Sequence, residues 1–383
     1  MKKKTFVWVI ILLSCIGALL RYLGLDYVGV DMEYCLLAWY EELESAGGLS
    51  GLANFSGDYN MPYITLFYLF TKLPFRPIVN IKLSSMIFDY LLAFVVMCMV
   101  RECVKEEKKN VYGVIAYALV LCSPIVIINS AYLGQCESVW AAGGVLGFWL
   151  LYKGHPVLGM LALGFAIAMK PQGIFILPII LLFYVGSKSF SILHFSWVPV
   201  AIQILCIPAI IGGCDFFVFY KIYVRMMGSY PHVYYYYPNI WTFIKNAPYY
   251  IFGKVGILSA FAVLLIIALL FVGKRRYELK EYILYLAWTT MTCAMILPCM
   301  HERYNYLGEV MLPIAALFHS RLRMPALFVV VSALLCYGQS YLGWGQFSHF
   351  CLAMVNIVVY FALSLEGYRS LRGEGIEKGE AVC

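Results

Sequence analysis

The stretch VGILSAFAVLLIIALLFVG, residues 255–273, is 19 residues long and contains no charged side chain. A helix needs about 20 predominantly apolar residues to cross the hydrocarbon layer of a bilayer. It also satisfies its own backbone hydrogen bonds there, where water is absent. The stretch therefore predicts a transmembrane helix.

Similar apolar runs recur along the chain, without the strand alternation of a transmembrane barrel. We predict about twelve spans, at residues 5–23, 78–100, 111–129, 137–152, 156–169, 172–186, 191–212, 255–273, 281–299, 304–318, 324–339 and 348–365. The apolar segment 62–74 is too short to cross and predicts an interfacial helix in the first outer loop. The predicted fold class is all-α, a polytopic transmembrane bundle forming one integral-membrane domain over residues 1–383.

The composition supports a protein whose partner is the lipid bilayer. Hydrophobic residues make up 63% of the chain, charged residues 13%, and the mean hydropathy is +0.81. Soluble proteins carry about 25% charged residues. The net charge of +7 does not indicate nucleic acid, because the charges sit in short clusters between apolar runs. The 13 cysteines lie mostly inside apolar segments without a CxxC pattern, so we predict neither a disulfide framework nor a zinc site.

Lysine and arginine predict the orientation, since cytoplasmic loops are enriched in both. With the N-terminus inside, the cytoplasmic segments hold 18 of the 28 basic residues. These segments are residues 1–4, 101–110, 153–155, 187–190, 274–280, 319–323 and the tail after 366. Both termini are therefore predicted to be cytoplasmic, with residues 24–77 and 213–254 forming long outer loops.

This topology places four polar clusters on the outer side. They are Asp31-Met32-Glu33, Gly134-Gln135-Cys136-Glu137, Lys170-Pro171-Gln172 and His301-Glu302-Arg303-Tyr304. Each has an ordinary alternative explanation, such as helix capping, a snorkelling lysine or an interfacial charge cluster. Because only basic residues set the topology, the shared side of all four favours a common outer-face site.

The residue types in these clusters suggest complementary chemistry. Asp31 and Glu33 could act as a base or share a divalent cation. Arg303 could hold a phosphate through two hydrogen bonds, and His301 could donate another. The histidine cluster is not a zinc signature, because Asn305 stands where HExxH needs its second histidine. The tyrosine-rich run from Tyr230 to Trp241 could stack on sugar rings, but an interfacial aromatic belt is favoured for most of it.

The chain resembles the GT-C superfamily of glycosyltransferases that use polyprenyl-phosphate sugars. It resembles the dolichyl-phosphate-glucose and -mannose transferases of the endoplasmic reticulum. The resemblance is stronger to bacterial relatives of the second GPI-anchor mannosyltransferase. Besides the four clusters, the matching motifs are Asp58-Tyr59-Asn60-Met61-Pro62-Tyr63 and Pro238-Asn239-Ile240-Trp241. They follow the family's order over most of the chain. Members often have Asp where Glu137 stands and an aromatic residue where Asn305 stands.

The resemblance implies inverting transfer of one hexose, mannose- or glucose-like, from a polyprenyl-phosphate carrier to a hydroxyl of a glycan, glycolipid or protein on the extracytoplasmic face. Asp31 is the expected general base, with Glu33 second. The donor phosphate is expected to bind His301 and Arg303, with Lys170 as a third cation. The residues expected to bind sugar or acceptor, or to support the site, are Gln135, Glu137, Gln172, Asp58, Glu302, Tyr304, Asn239 and Trp241.

No cofactor is required by this chemistry, although a divalent cation at Asp31 and Glu33 stays open. The short chain suggests undecaprenyl phosphate as carrier and a bacterial cytoplasmic membrane. Two other classes of protein remain as alternatives, a transporter or lipid flippase and a polysaccharide polymerase or ligase. A transporter would place its polar residues near mid-membrane, whereas here they crowd one rim.

Overall fold

A computed structural model describes residues 1–226, 231–272 and 277–374. Throughout these residues the chain is helical, apart from loops and one isolated bridge between Tyr234 and Met300. The helices are α1 Lys3–Tyr22, α2 Leu37–Ser45, α3 Ser50–Ala53, α4 Met61–Phe70, α5 Pro77–Glu102, α6 Glu106–Leu121, α7 Pro124–Ile127, α8 Glu137–Tyr152, α9 Pro156–Met169, α10 Leu177–Ser187, α11 Trp197–Ile211, α12 Val218–Met226, α13 Tyr249–Phe271, α14 Leu279–Ile296, α15 Tyr306–Ala315, α16 Arg323–Tyr341 and α17 His349–Arg372. The all-α prediction is confirmed for this part of the chain.

A helix lies at each of the twelve predicted span positions. The count of twelve spans stays a prediction. Among the described residues, six helical segments are long and apolar enough to cross a bilayer, at Lys3–Tyr22, Pro77–Glu102, Ile192–Ile211, Tyr249–Phe271, Ser320–Tyr341 and His349–Arg372. A seventh is the bent pair Glu106–Leu121 and Pro124–Tyr132, whose two parts meet at 43°. The chain is therefore an integral membrane protein by the length and composition of its helices.

Some predicted features lie outside the described residues. They are residues 274–276 of a predicted cytoplasmic loop, Tyr230 of the long outer loop, and the tail from residue 375 onward.

The chain forms two compact units, and the prediction of a single domain stays a prediction. The first unit comprises Met1–Ile176 and Ser189–Tyr230, and the second comprises Leu177–Lys188 and Pro231–Cys383. In the first unit α5 packs against α6 and α8, while α9 packs against α8 and α11. In the second unit α14 packs against α13, α15 and α17, and α16 packs against α17.

The first unit contains a buried ion pair inside its apolar helices. Arg21 of α1 donates to Asp89 of α5 at 2.8 Å, and both side chains are fully buried. Ser130 donates to the same carboxylate oxygen at 2.5 Å. Ionisable groups are costly in apolar surroundings unless they are paired. This pair therefore joins α1, α5 and the π-helical turn Ile128–Tyr132.

The first outer loop contains the π-helix Met32–Leu36, which continues directly into α2. Its apolar face, including Leu36, Tyr40 and Leu43, is buried in the protein. The apolar segment at 62–74 forms the ten-residue helix α4, which is shorter than a span and mostly buried. Its location at a membrane interface stays a prediction.

Candidate functional site

The backbone before Asp31 is held by a buried lysine. Lys82 of α5 is fully buried, and its ammonium group donates to the carbonyls of Gly24, Leu25 and Tyr27 at 2.8, 2.9 and 2.7 Å. These three acceptors satisfy all three donors of the ammonium group. The turn after α1 is therefore anchored to α5 just before the chain reaches Asp31.

Asp31 meets the second predicted motif, although 104 residues separate them. The Gln135 amide nitrogen donates to the Asp31 Oδ2 at 2.7 Å. Gly134 precedes this glutamine with φ of +66°, and a Cβ added there would lie 2.6 Å from the Met32 Cε. A glycine is therefore required for the turn that brings Gln135 to the carboxylate.

Glu137 meets the third predicted motif through an ion pair with Lys170. Both side chains are buried, and the Lys170 ammonium donates to Glu137 Oε1. The ammonium group also lies 5.7 Å from the centre of the Tyr59 ring. The positive charge of Lys170 is thus matched within the first unit. Its expected binding of a donor phosphate stays a prediction.

Other predicted residues of the first unit differ in exposure. Gln172 is buried, and its Oε1 has no hydrogen-bond partner in the structure. Glu33 and Asp58 are exposed. The Glu33 backbone N–H donates to the Gly29 carbonyl at 3.0 Å. Of the two residues considered as the base, Asp31 and Glu33, only Asp31 hydrogen-bonds to Gln135.

We predict that a Glu137→Gln substitution lowers stability, because it leaves the Lys170 charge buried without a counter-charge. Breaking a buried ion pair from one side costs about 3 kcal/mol or more. The measurement is equilibrium unfolding in detergent. The matched control is Glu137→Leu combined with Lys170→Met, which removes both charges and should recover most of the loss. Equal stability of Glu137→Gln and the wild-type protein would contradict this reading of the pair.

In the second unit the fourth motif forms a compact polar knot after α14. Glu302 is buried and accepts from Arg303 at 2.7 Å, and His301 Nδ1 lies 3.8 Å from its carboxylate. Tyr341, at the end of α16, hydrogen-bonds to both Glu302 and Arg303. One carboxylate therefore positions two of the residues expected to bind phosphate.

The environment of Glu302 shifts its acidity. Burial by itself raises the pKa of Glu302, but the Arg303 charge, the nearby His301 ring and a hydrogen bond from Tyr341 outweigh it and lower the pKa from 4.5 to about 2. A carboxyl group with a depressed pKa in the folded state stabilises the fold above its unfolded pKa. That contribution is lost as the pH falls from about 4.5 towards 2.

We therefore predict that the second unit loses stability in acid through this group. The loss expected between pH 5 and pH 2 is on the order of 3 kcal/mol. Thermal unfolding of the wild-type protein and Glu302→Gln across this range provides the measurement. The variant should be less stable at pH 6 and show a flatter pH dependence. Parallel pH profiles of the two proteins would contradict the prediction.

Asn239 and Trp241 hold the loop of the second unit against the end of α14. Asn239 donates to the Ala294 carbonyl at 3.0 Å, and the Trp241 indole donates to the Ile296 carbonyl at 2.8 Å. The Asn239 Oδ1 accepts from the Trp241 backbone N–H at 3.0 Å. The polar atoms of both side chains thus bind backbone groups, an arrangement that fits a supporting role.

Neither a scan against models of protein families nor a search of curated proteins returns a match for this chain.

The structure brings some of the predicted residues together in two clusters, one in each unit. The first-unit cluster contains Asp31, Gln135, Glu137, Lys170 and Tyr59, and the second-unit cluster contains His301, Glu302, Arg303 and Tyr341. The prediction that Asp31 and His301 serve one pocket stays a prediction. Among the described residues, no group of three or more His, Cys, Asp or Glu is placed to hold a metal ion. The possible cation at Asp31 and Glu33 also stays a prediction.

Three residues with structural roles near these clusters were missed from the sequence. Lys82 and Asp89 could have been noticed as ionisable residues inside an apolar run, which are costly and usually have a specific partner. Tyr341 carries no such signal, because a tyrosine at the end of a transmembrane helix is common.

Proposed function

We propose that this chain is a GT-C type glycosyltransferase of a bacterial cytoplasmic membrane. It transfers one mannose- or glucose-like hexose from a polyprenyl-phosphate carrier, with undecaprenyl phosphate as the favoured carrier, to an acceptor hydroxyl. The acceptor lies on the extracytoplasmic face, and the anomeric configuration is inverted. Twelve spans with both termini cytoplasmic complete the proposal. A helix lies at each predicted span position, and six or seven helical segments of the described residues are long and apolar enough to cross a bilayer.

The observation that carries the proposal is the meeting of four motifs in the first unit. Asp31, Tyr59, Gln135 and Lys170 belong to different motifs of the predicted set, and each contacts a residue of another motif in that set. Helix capping or snorkelling would satisfy each motif locally and would not require these long-range contacts. Their convergence supports a common polar site.

In the proposed reaction the acceptor oxygen attacks the anomeric carbon of the donor hexose from the side opposite the phosphate. The new carbon–oxygen bond forms as the bond to the phosphate oxygen breaks, and the electron pair leaves with the lipid phosphate. Asp31 accepts the proton of the acceptor hydroxyl. Gln135 orients the Asp31 carboxylate through its 2.7 Å hydrogen bond.

The leaving phosphate gains negative charge in this step. Positioned cationic donors stabilise such charge without reorganising during the reaction. His301 and Arg303 are the proposed donors, and Glu302 and Tyr341 restrict the Arg303 guanidinium. The donor is a glycosyl phosphodiester, and the polyprenyl phosphate that it releases is already a good leaving group, so a metal ion is not obligatory for the step.

A screen of purified protein with labelled polyprenyl-phosphate hexoses, with and without a chelator, tests the proposal. We expect one hexose to move to an acceptor, with release of the lipid phosphate. Transfer of a whole chain from a diphosphate-linked oligosaccharide would instead support a polymerase or ligase. Solute or lipid movement without bond cleavage would support a transporter or flippase.

A further inference from the structure

The tyrosine-rich loop of the second unit contains a strained turn. The Tyr237 backbone N–H donates to the Tyr235 carbonyl at 2.9 Å, and Tyr236 between them has φ of +65°. This is the form of the γ-turn that is rare because it strains an ordinary residue. A tyrosine gains nothing locally from this backbone conformation, whereas glycine would adopt it without strain.

Several contacts hold the strained turn in place. The Tyr237 backbone N–H also donates to the Met300 carbonyl at 3.1 Å, and Cys299 N–H donates to the Val233 carbonyl at 3.0 Å. The Cys336 thiol contacts the Tyr236 carbonyl at 3.5 Å. Strained residues persist where the surrounding structure determines them, and they concentrate at functional sites. The turn therefore fixes the direction of the Tyr236 Cα–Cβ bond, from which the ring projects.

The fixed ring of Tyr236 is open on the surface of the unit. It is 60% exposed, and its nearest aromatic neighbours are Tyr234 and His349, each with a ring centre 6.2 Å away. The preceding residue, Tyr235, lies with its ring 5.0 Å from that of His301. Tyr236 thus directly follows Tyr235, whose ring lies against the ring of His301, the proposed phosphate-binding histidine.

The surroundings of Tyr236 combine an apolar face with polar groups. A hexose ring presents a face of C–H groups surrounded by hydroxyls, and an aromatic face with nearby donors and acceptors complements it. The Tyr234 hydroxyl and the His349 ring, joined by a 2.5 Å hydrogen bond, lie beside the open ring. An interfacial belt residue would need no strained backbone, as Tyr250 illustrates on the regular helix α13, where it is 72% exposed.

We infer that Tyr236 is a platform for a saccharide ring of the acceptor, so that the acceptor hydroxyl belongs to a glycan or glycolipid. This inference rests on the proposed function for the role of the acceptor. The platform itself is a binding property that can be measured without any transfer reaction. Tyr236 positions the acceptor, and it takes no part in proton transfer.

The test measures binding of methyl α-mannopyranoside and methyl α-glucopyranoside to the purified full-length protein, by saturation-transfer NMR in a detergent without sugar. Tyr236→Gly removes the ring and relieves the strained φ, so it should fold at least as stably as the wild-type protein. We expect it to weaken binding of the preferred glycoside by about fivefold or more. Tyr236→Phe should bind within about twofold of wild type, since it keeps the ring.

Tyr250→Ala is the matched control, because it removes another exposed aromatic ring from the same unit. It should leave glycoside binding unchanged. The inference is overturned if the wild-type protein binds neither glycoside, if Tyr236→Gly binds as the wild type does, or if Tyr250→Ala weakens binding equally.

Once a donor is known, transfer separates this inference from the proposed function. We expect Tyr236→Gly to raise the acceptor KM and leave the donor KM unchanged. If Tyr236→Gly transfers the hexose with an unchanged acceptor KM, the inference that Tyr236 binds the acceptor is wrong, and the proposed transferase function is unaffected. Glycoside binding that depends on Tyr236, without transfer from any donor, would support the platform and contradict the transferase.

Discussion

An Asp31→Asn variant is expected to fold normally and to lose at least about a hundredfold in transfer rate, the usual contribution of a general base. Asparagine keeps the size of the side chain and an oxygen that can accept the Gln135 hydrogen bond of 2.7 Å. It cannot accept a proton from the acceptor hydroxyl. The measurement is single-turnover transfer of a labelled hexose at saturating donor, compared with donor binding under the same conditions.

Glu33→Gln provides the matched control for Asp31→Asn. Glu33 lies two residues further along, is exposed, and could serve as the base if Asp31 did not. The account predicts that Glu33→Gln changes the transfer rate by less than about threefold, well below the contribution of a general base. A large loss of transfer rate in Glu33→Gln, together with a normal rate in Asp31→Asn, would show that Glu33 is the general base and Asp31 is not.

A Lys82→Met variant is expected to lose both stability and transfer activity. The substitution removes three charge-assisted hydrogen bonds to the carbonyls of Gly24, Leu25 and Tyr27. Such bonds are worth about 1.5–3 kcal/mol each. Burying methionine avoids the desolvation of an ammonium group, which offsets part of that sum. We expect a net loss of about 3 kcal/mol in the free energy of unfolding.

The loss of activity should have a distinct kinetic form. Freeing the turn before Asp31 displaces the base relative to Gln135, so kcat should fall more than tenfold even where the protein is fully folded. Lys72→Met is the control, because it replaces an exposed lysine of the first outer loop. It should leave stability and kcat near wild type. A folded Lys82→Met protein with normal kcat would show that the anchored turn does not position Asp31.

The positions of the helices could be predicted well from the sequence, because length and hydropathy decide where a helix can cross a bilayer. The bounds predicted at 137–152 and 156–169 match those of the helices α8 and α9, and their crossing of the bilayer stays a prediction. The bend between α6 and α7 was not predicted. It occurs at Ser123 and Pro124, where proline has no backbone N–H to continue the helix.

The partners within the clusters were harder to predict, because a motif shows which residues are polar but not what they contact. Lys170 was expected to bind phosphate, yet its charge is matched by Glu137. Asn239 and Trp241 were expected near sugar or in support, and they bind backbone carbonyls at the end of α14. Pairings of this kind depend on how helices distant in sequence pack, and no local pattern carries that information.

Tyr236 is a second case in which the sequence does not reveal the role of a residue. In the sequence it is one of four consecutive tyrosines, Tyr234 to Tyr237, which an interfacial belt explains adequately. Its backbone conformation and its exposure separate it from its neighbours, since its φ is positive and theirs are not, and it is the exposed one of the four. Composition could not distinguish the strained tyrosine from the ordinary ones.

The most direct measurement of the central claim is analysis of the products that the purified protein forms from a polyprenyl-phosphate hexose of known anomeric configuration. The account predicts equal amounts of free polyprenyl phosphate and an acceptor extended by one hexose, with the configuration at the anomeric carbon inverted. Retention of that configuration, or no cleavage of any mannose- or glucose-bearing donor, would contradict it.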